Sequence, residues 1–414
     1  MSLRSKTINL GAGPSPLPED VLHEAAAGLL DYQGLGMGLT EISHRSSTFQ
    51  SLNTSCQSRL RSLLSIPEEF KIVFMQGGGL TQFSATVLNL VAAHRIKYKT
   101  GRDEDVGAEY VVTGSWGAKS AGEARRLGVK VQVVTDARTS SQDGKTFGSI
   151  PDPKTWSWSP DTATVDPMAS AQGKEEVPAP STSSSSTTER LKTPPAFIYY
   201  CDNETVNGVE FPSPGFPISS IPSSHRDVPL VADMSSNILS RPIPPELWSR
   251  LGIVFAGAQK NMGPSGATIV IVRQDLVVDL DEAVKYGGDR VPSMLWYKNM
   301  VDNDSLYNTP PMFPIYVCDL VFARLQSNGG VEEMTRVNEE KAGKVYGVLD
   351  GSEGFYEPQV ERNARSRMNV VFTIRGGKAI EEAFVKEADA IGIKQIKGHR
   401  CVSRATEFGS DSAD

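Results

Sequence analysis

Apolar residues fall in short unbroken runs, separated by stretches in which they recur every three to four positions. Runs at 71–76 (KIVFMQ), 109–113, 129–134, 196–200, 229–232, 252–256 and 267–272 have the length and β-branched content of strands buried on both faces. Between them the period changes. After the first run come three glycines, and then Phe83, Val87 and Leu90 at i, i+4 and i+7 of a helix. A second helix begins near Gly117 and stops at Gly128. Strands alternating with helices predict an α/β layer architecture on a mainly parallel, seven-stranded sheet.

The pattern fails between 151 and 195. There the chain is rich in Ser, Thr, Pro and Ala, with almost no aliphatic content after Trp156 and Trp158. Such a segment buries too little apolar area to offset its ordering entropy, and reads as a disordered insertion between two core strands. Beyond Pro314 the character changes again. Two helical patterns, the first carrying Leu320, Val321 and Leu325, precede a strand at 369–374 and a helix at 378–391 that Gly392 stops. This predicts a smaller α+β unit. The division expected is a large domain at 17–290 and a small one formed by 1–16 and 291–414.

Composition narrows the function. The chain has 414 residues, 39% of them hydrophobic and 22% charged, with a net charge of −7. That balance argues against a nucleic acid or a membrane surface as partner. The four cysteines form no CxxC pair and the five histidines no HExxH, so no metal site is expected and a reducing, cytoplasmic setting is. The N-terminus has no apolar core of signal-peptide length, and no apolar run approaches the ~18 residues of a transmembrane helix.

The candidate chemistry lies in loops that follow strands, where open α/β sheets bind their ligands. In QGGGLT at 76–81, glycines would let backbone amides approach an anion at a helix start, although a tight turn fits equally well. Trp116 in GSWG at 114–117 could stack on a planar ring or serve as a core indole. Asp233 ends a buried strand, a costly place for a carboxylate unless it meets a cation, though an N-cap is the competing reading. Lys260 sits in AQKNMGPSG, between two apolar runs. Partial desolvation there would lower its pKa and free its amine as a nucleophile. Taken in order, these are the parts a site for pyridoxal 5′-phosphate (PLP) requires: phosphate cradle, ring stack, pyridinium partner and Schiff-base amine.

AGPSPLP (12–18), EISHRS (41–46), QGGGLTQF (76–83), CDNETVNG (201–208), ADMSSNILSRP (232–242), AGAQKNMGPSG (256–266), LYNTPP (306–311) and GHR (398–400) together resemble the phosphoserine aminotransferase family. These are class V aminotransferases of PLP fold-type I. The likeness spans nearly the whole chain except the Ser/Thr-rich segment and the last ten or so residues. It implies that Lys260 carries PLP as a Schiff base and shuttles the proton, and that Asp233 pairs with the pyridine nitrogen. It implies that Trp116 stacks on the ring, and that Gly79 and Leu80 give amides to the phosphate with Gln259 nearby. Thr205 would hydrogen-bond within the site. Asn308 and Thr309 would reach the cofactor of a second subunit, which requires a homodimer. Arg45 would bind substrate, with His44, His399 and Arg400 around its phosphate.

The implied reaction transfers the amino group of L-glutamate to 3-phosphohydroxypyruvate in serine biosynthesis. Both small molecules carry anionic groups suited to forked guanidinium donors. The family pattern continues after GHR with Ser-Val-Gly-Gly, one variable residue and Arg-Ala-Ser, whereas this chain reads CVSRATEFGSDSAD. An altered or truncated C-terminus is therefore expected, with Arg404 as the candidate carboxylate clamp. Two other readings stand beside this one. One is a different class V transaminase, which the His44-Arg45 pair opposes. The other is a PLP-binding, dimer-forming protein without catalysis.

Overall fold

Most strands of the central sheet are buried on both faces, and this is what lets the elements be read from the sequence; the edge strand Lys130–Asp136 keeps Lys130, Gln132 and Thr135 half-exposed. The computed structural model describes residues 3–101, 105–159 and 193–397. Its seven-stranded sheet is built from β1 (Phe70–Met75), β2 (Gly107–Val112), β3 (Lys130–Asp136), β4 (Ile198–Cys201), β5 (Leu230–Asp233), β6 (Leu251–Gly257) and β7 (Thr268–Arg273). Each lies within two residues of an apolar run. The spatial order is β1-β7-β6-β5-β4-β2-β3. β7 runs antiparallel to both neighbours, and all other pairings are parallel.

Alternate side chains feed two cores. Ile72, Phe74, Ile198, Tyr200, Val254 and Ile271 face one of them, with Phe49 and Leu60. Val73, Met75, Tyr199, Ile253, Phe255 and Val272 face the other, with Phe83, Val87 and Leu90. A period of two with both faces covered gives the continuous runs seen in the sequence.

The helices that matter are α1 (Glu19–Leu30), α2 (Ser47–Leu64), α3 (Gly78–Tyr98), α4 (Ser115–Arg126), α5 (Met312–Ser327), α6 (Gly330–Asp350) and α7 (Lys378–Ala390). α5 starts before Pro314 rather than after it. The proline falls in the first turn, where its missing N–H has no intrahelical acceptor to lose. α5 packs along α1 and α2. Farther on, Tyr356–Pro358 pairs antiparallel with Phe372–Ile374, shorter than the strand expected at 369–374. Tyr356, Phe372 and Phe384 of α7 meet edge to face there. Ile8–Asn9 pairs with Ile393–Lys394, so the start of the chain joins this C-terminal unit.

One boundary moves. Residues 151–159 belong to the packed body, not to the insertion. Trp156 is buried against Phe216 and Trp158, and its indole N–H donates to Pro151 O at 3.0 Å. The amide of Ser159 donates to buried Glu109 at 2.8 Å. At the other end, His94 holds Pro194 O at 2.8 Å. Two tryptophans supply the apolar area that the average composition of 151–195 conceals. The stretch 160–192 lies outside the described residues. Among the described residues, no helix is long and apolar enough to cross a membrane.

Candidate active site

Because β1, β2, β4, β5 and β6 share a direction, their carboxyl ends share one edge of the sheet. The loops leaving that edge carry Gly77–Gly79, Trp116, Thr205, Asp233 and Lys260.

Lys260 sits in the turn joining β6 to β7. Ala258 N bonds Ala267 O at 3.0 Å across the turn, and Gly263 N returns to Ala258 O at 2.8 Å. The side chain of Asn261 bonds Ile238 O at 2.9 Å. The lysine is half-buried, and its Nζ donates to Thr205 Oγ1 at 2.6 Å. Burial pulls the amine below its ordinary pKa, while the negative charge of Asp233 opposes that pull.

Asp233, 4% exposed, ends β5. Its Oδ1 accepts from Ser235 N at 2.9 Å and its Oδ2 from the Tyr199 hydroxyl at 3.4 Å. The local turn anticipated as an N-cap exists, but it occupies one oxygen only, and no helix follows. Burial pushes this carboxyl up, while the bonds to Ser235 and the charge of Lys260 draw it back. Lys260 and Asp233 are thus near enough for each to shift the other's titration.

The glycine turn opens α3. Gly77 and Gly78 take φ of 94° and 66°, conformations that glycine adopts without strain. The amide of Gly78 is held by Thr268 Oγ1 at 2.8 Å. A Cβ on Gly79 would lie 4.0 Å from Asp233 Oδ2, which places the helix start beside the carboxylate. Leu80 follows in the first turn with an exposed side chain. First-turn amides have no intrahelical acceptor, so this end of α3 is chemically suited to a phosphate. Trp116, in the first turn of α4, is half-buried. Its ring is tilted 6.5 Å from that of Phe83, and the Lys119 ammonium lies 4.9 Å above it. Its buried Nε1 has no hydrogen-bond partner.

A second group forms around the end of β1. The Gln76 amide bonds Thr309 O at 3.4 Å, and Thr309 Oγ1 lies 3.3 Å from His44 Nδ1. Asn308 bonds the same carbonyl at 3.1 Å. Arg45 is exposed, at the chain position before the α2 N-cap Ser46. The structure therefore joins His44 to Thr309 and Lys260 to Thr205. His399, Arg400 and Arg404 lie outside the described residues.

A family model described as aminotransferase class-V matches residues 178–410. The phosphoserine aminotransferase of Drosophila melanogaster is 40% identical over 398 residues, 95% of this chain and 91% of that protein. The chain belongs to the phosphoserine aminotransferase family.

Solved structures of the family agree. That of the phosphoserine aminotransferase from Bacillus circulans subsp. alkalophilus superposes with a TM-score of 0.76 at 34% identity, covering 96% of this chain and 91% of that one. A PLP-bound phosphoserine aminotransferase from Trichomonas vaginalis gives 0.74 at 31%, covering 96% and 93%. The fold is that of the class V aminotransferases, PLP fold-type I, and the chain is a transaminase of that kind.

Two residues of this family member had been given no role from the sequence. Gly13 lies over the lysine stem, and Ser15 N bonds the Gln259 carbonyl at 2.8 Å. Glu204, 0% exposed, receives the amides of Trp116 and Gly117, both at 2.8 Å. Neither contact has a signature in periodicity. The nearest signal was a glycine and an acid beside motif residues, inside AGPSPLP and CDNETVNG.

Proposed function

We propose that this chain transfers the amino group of L-glutamate to 3-phosphohydroxypyruvate, forming O-phospho-L-serine and 2-oxoglutarate in serine biosynthesis. The observation that carries this reading is the Lys260 amine: partly desolvated, bonded to Thr205 and within the field of Asp233. It occurs in a chain 40% identical to a phosphoserine aminotransferase.

The residues fit PLP. A buried carboxylate whose Oδ2 meets the Tyr199 hydroxyl at a long 3.4 Å suits a cationic ring nitrogen, and a glycine-built helix start beside it suits a phosphate. Lys260, Asp233, Trp116, Thr205, Gly79, Leu80 and Gln259 would hold the cofactor. When bound, it supplies an electron-withdrawing ring that stabilises the electron pair left at the substrate α-carbon as its proton departs. Lys260 has the chemistry to take that proton and return it two atoms away, a 1,3-shift, because burial favours its neutral amine. Thr205 fixes where the amine points. Asp233 favours a proton on the ring nitrogen. Trp116 shields one face.

Arg45 and His44 supply a guanidinium and an imidazole for the anionic ends of the substrates. Standing with Asn308 and Thr309, which the family resemblance brings to a second subunit's cofactor, they support a homodimer in which each chain completes its partner's site. Cys56, Cys201 and Cys318 are free and buried, which supports a cytoplasmic setting.

The test is borohydride reduction of the loaded protein followed by peptide mapping, paired with turnover of phosphorylated and unphosphorylated keto acids. A single phosphopyridoxyl label on Lys260 and a preference for 3-phosphohydroxypyruvate are expected. A label elsewhere, or equal turnover of both acids, would overturn the reading.

A further inference from the structure

The first three amides of α4 are held by side chains of one distant hairpin, Asn203–Glu204 paired with Val209–Glu210. Ser115 N donates to Asn207 Oδ1 at 2.8 Å, Trp116 N to Glu204 Oε2 at 2.8 Å and Gly117 N to Glu204 Oε1 at 2.8 Å. These amides begin a helix and have no intrahelical acceptor, and a carboxylate there also meets the positive end of the helix dipole. Two bonds from one rigid carboxylate to consecutive amides fix the rotation of the helix start as well as its position. The fit leaves no slack: a Cβ on Gly114 would lie 2.4 Å from Glu204 Cγ and Cδ. It also removes the α4 start as an anion cradle, leaving that role to α3.

The next residue along the hairpin, Thr205, receives the Lys260 amine at 2.6 Å. One dipeptide therefore grips the backbone that carries the indole and the side chain that carries the amine. The charged groups facing Glu204 are Asp233 and Lys260. Burial raises the Glu204 carboxyl to about 7, the two amide bonds and Lys260 opposing that rise and Asp233 adding to it.

We propose that Glu204 is a positioning residue for the cofactor ring, setting the pitch of the Trp116 indole relative to the amine of Lys260. The proposal rests on the reading of Trp116 as the ring stack. Gln at 204 keeps the size of the side chain but turns one acceptor into a donor facing an N–H. One amide then loses its partner and the helix start shifts.

The test is a double-variant cycle on the full chain, using pyridoxal 5′-phosphate as the probe. It reads cofactor Kd and the visible circular dichroism of the bound cofactor, which reports the asymmetry of the ring's surroundings. Glu204→Gln is expected to weaken binding about tenfold and lower the visible band, and in a Trp116→Ala background to change Kd less than about twofold. An effect of equal size in both backgrounds overturns the proposal, because Glu204 would then be acting only on the fold. If Trp116→Ala alone leaves Kd and the band unchanged, the ring-stack reading fails and the proposal fails with it, an outcome distinct from the first. Should Glu204→Gln not fold, Glu204→Asp keeps the carboxyl but draws it back from the Trp116 and Gly117 amides. It is expected to lower the visible band, and an unchanged band there overturns the proposal.

Discussion

Gly13 lies so close to Lys260 that a Cβ on it would be 2.8 Å from Lys260 Cγ and 3.1 Å from Cε. Its φ of 141° is one that residues with a side chain rarely adopt. The N-terminal strap thus packs directly against the lysine stem. Gly13→Ala is expected to displace the amine and lower kcat about a hundredfold, the usual consequence of an ångström-scale misplacement. Far-ultraviolet circular dichroism should be unchanged, because the strap is outside the main sheet. A kcat within threefold of the parent protein would show that the close approach has no bearing on the amine.

Asp233→Asn separates charge from geometry. Asn Oδ1 can still accept from Ser235 N, so the turn should persist, but the negative charge near the Lys260 amine, proposed to pair with the ring nitrogen, is lost. A fall in kcat of about 100- to 1,000-fold is expected, the scale of removing one preorganised electrostatic group. Steady-state kinetics at saturating cofactor would decide it, and retention of a third or more of the rate would count against the assigned role.

The buried pair Arg241–Asp202, 2.7 Å apart, should matter to stability more than to chemistry. Arg241 also bonds Phe211 O at 2.8 Å, and Asn237 bonds the same Asp202 oxygen at 2.6 Å. Arg241→Met leaves Asp202 charged and buried, and is expected to cost about 3–5 kcal/mol. Adding Asp202→Asn should restore most of it. Urea midpoints of the two variants give the comparison; a double variant no more stable than the single one would contradict the argument.

Two buried groups give opposite pH slopes. Burial lowers His94 from 6.5 to about 4, so the folded state binds fewer protons than the unfolded one between those values. Stability from this group is therefore lost as pH falls from about 6.5 to 4, by up to about 3 kcal/mol. Burial raises Glu204 from 4.5 to about 7. The folded state then holds the extra proton, and stability is lost as pH rises across that window. Apo-protein denaturation from pH 4 to 7.5 should show His94→Gln flattening the acid side and Glu204→Gln flattening the neutral side. Parallel curves for all three proteins would refute both assignments.

The sheet was legible because its inner strands are apolar on both faces, so runs such as 252–256 stood out from any helical period. Lys260 and Asp233 were legible because a charged residue at the end of such a run needs a reason. What escaped was tertiary. The α4 start depends on Glu204, 88 residues away, and the lysine stem packs on Gly13, far off at the chain's other end. Trp156 and Trp158 escaped for a different reason: averaging over 151–195 diluted two bulky rings among serines and prolines.

The reversed direction of β7 has a mechanical result. In a parallel connection the chain would leave this edge through a helix and return from the far side. Here it doubles back at once, so Lys260 is mounted on a fork whose two tines are central strands laddered to each other from Ile253–Val272 to Gly257–Thr268. The height of the amine above the sheet is consequently counted out in ladder rungs. Adding or deleting one residue between Ala258 and Ala267 would have to be absorbed in that short crown, with neither tine free to slide.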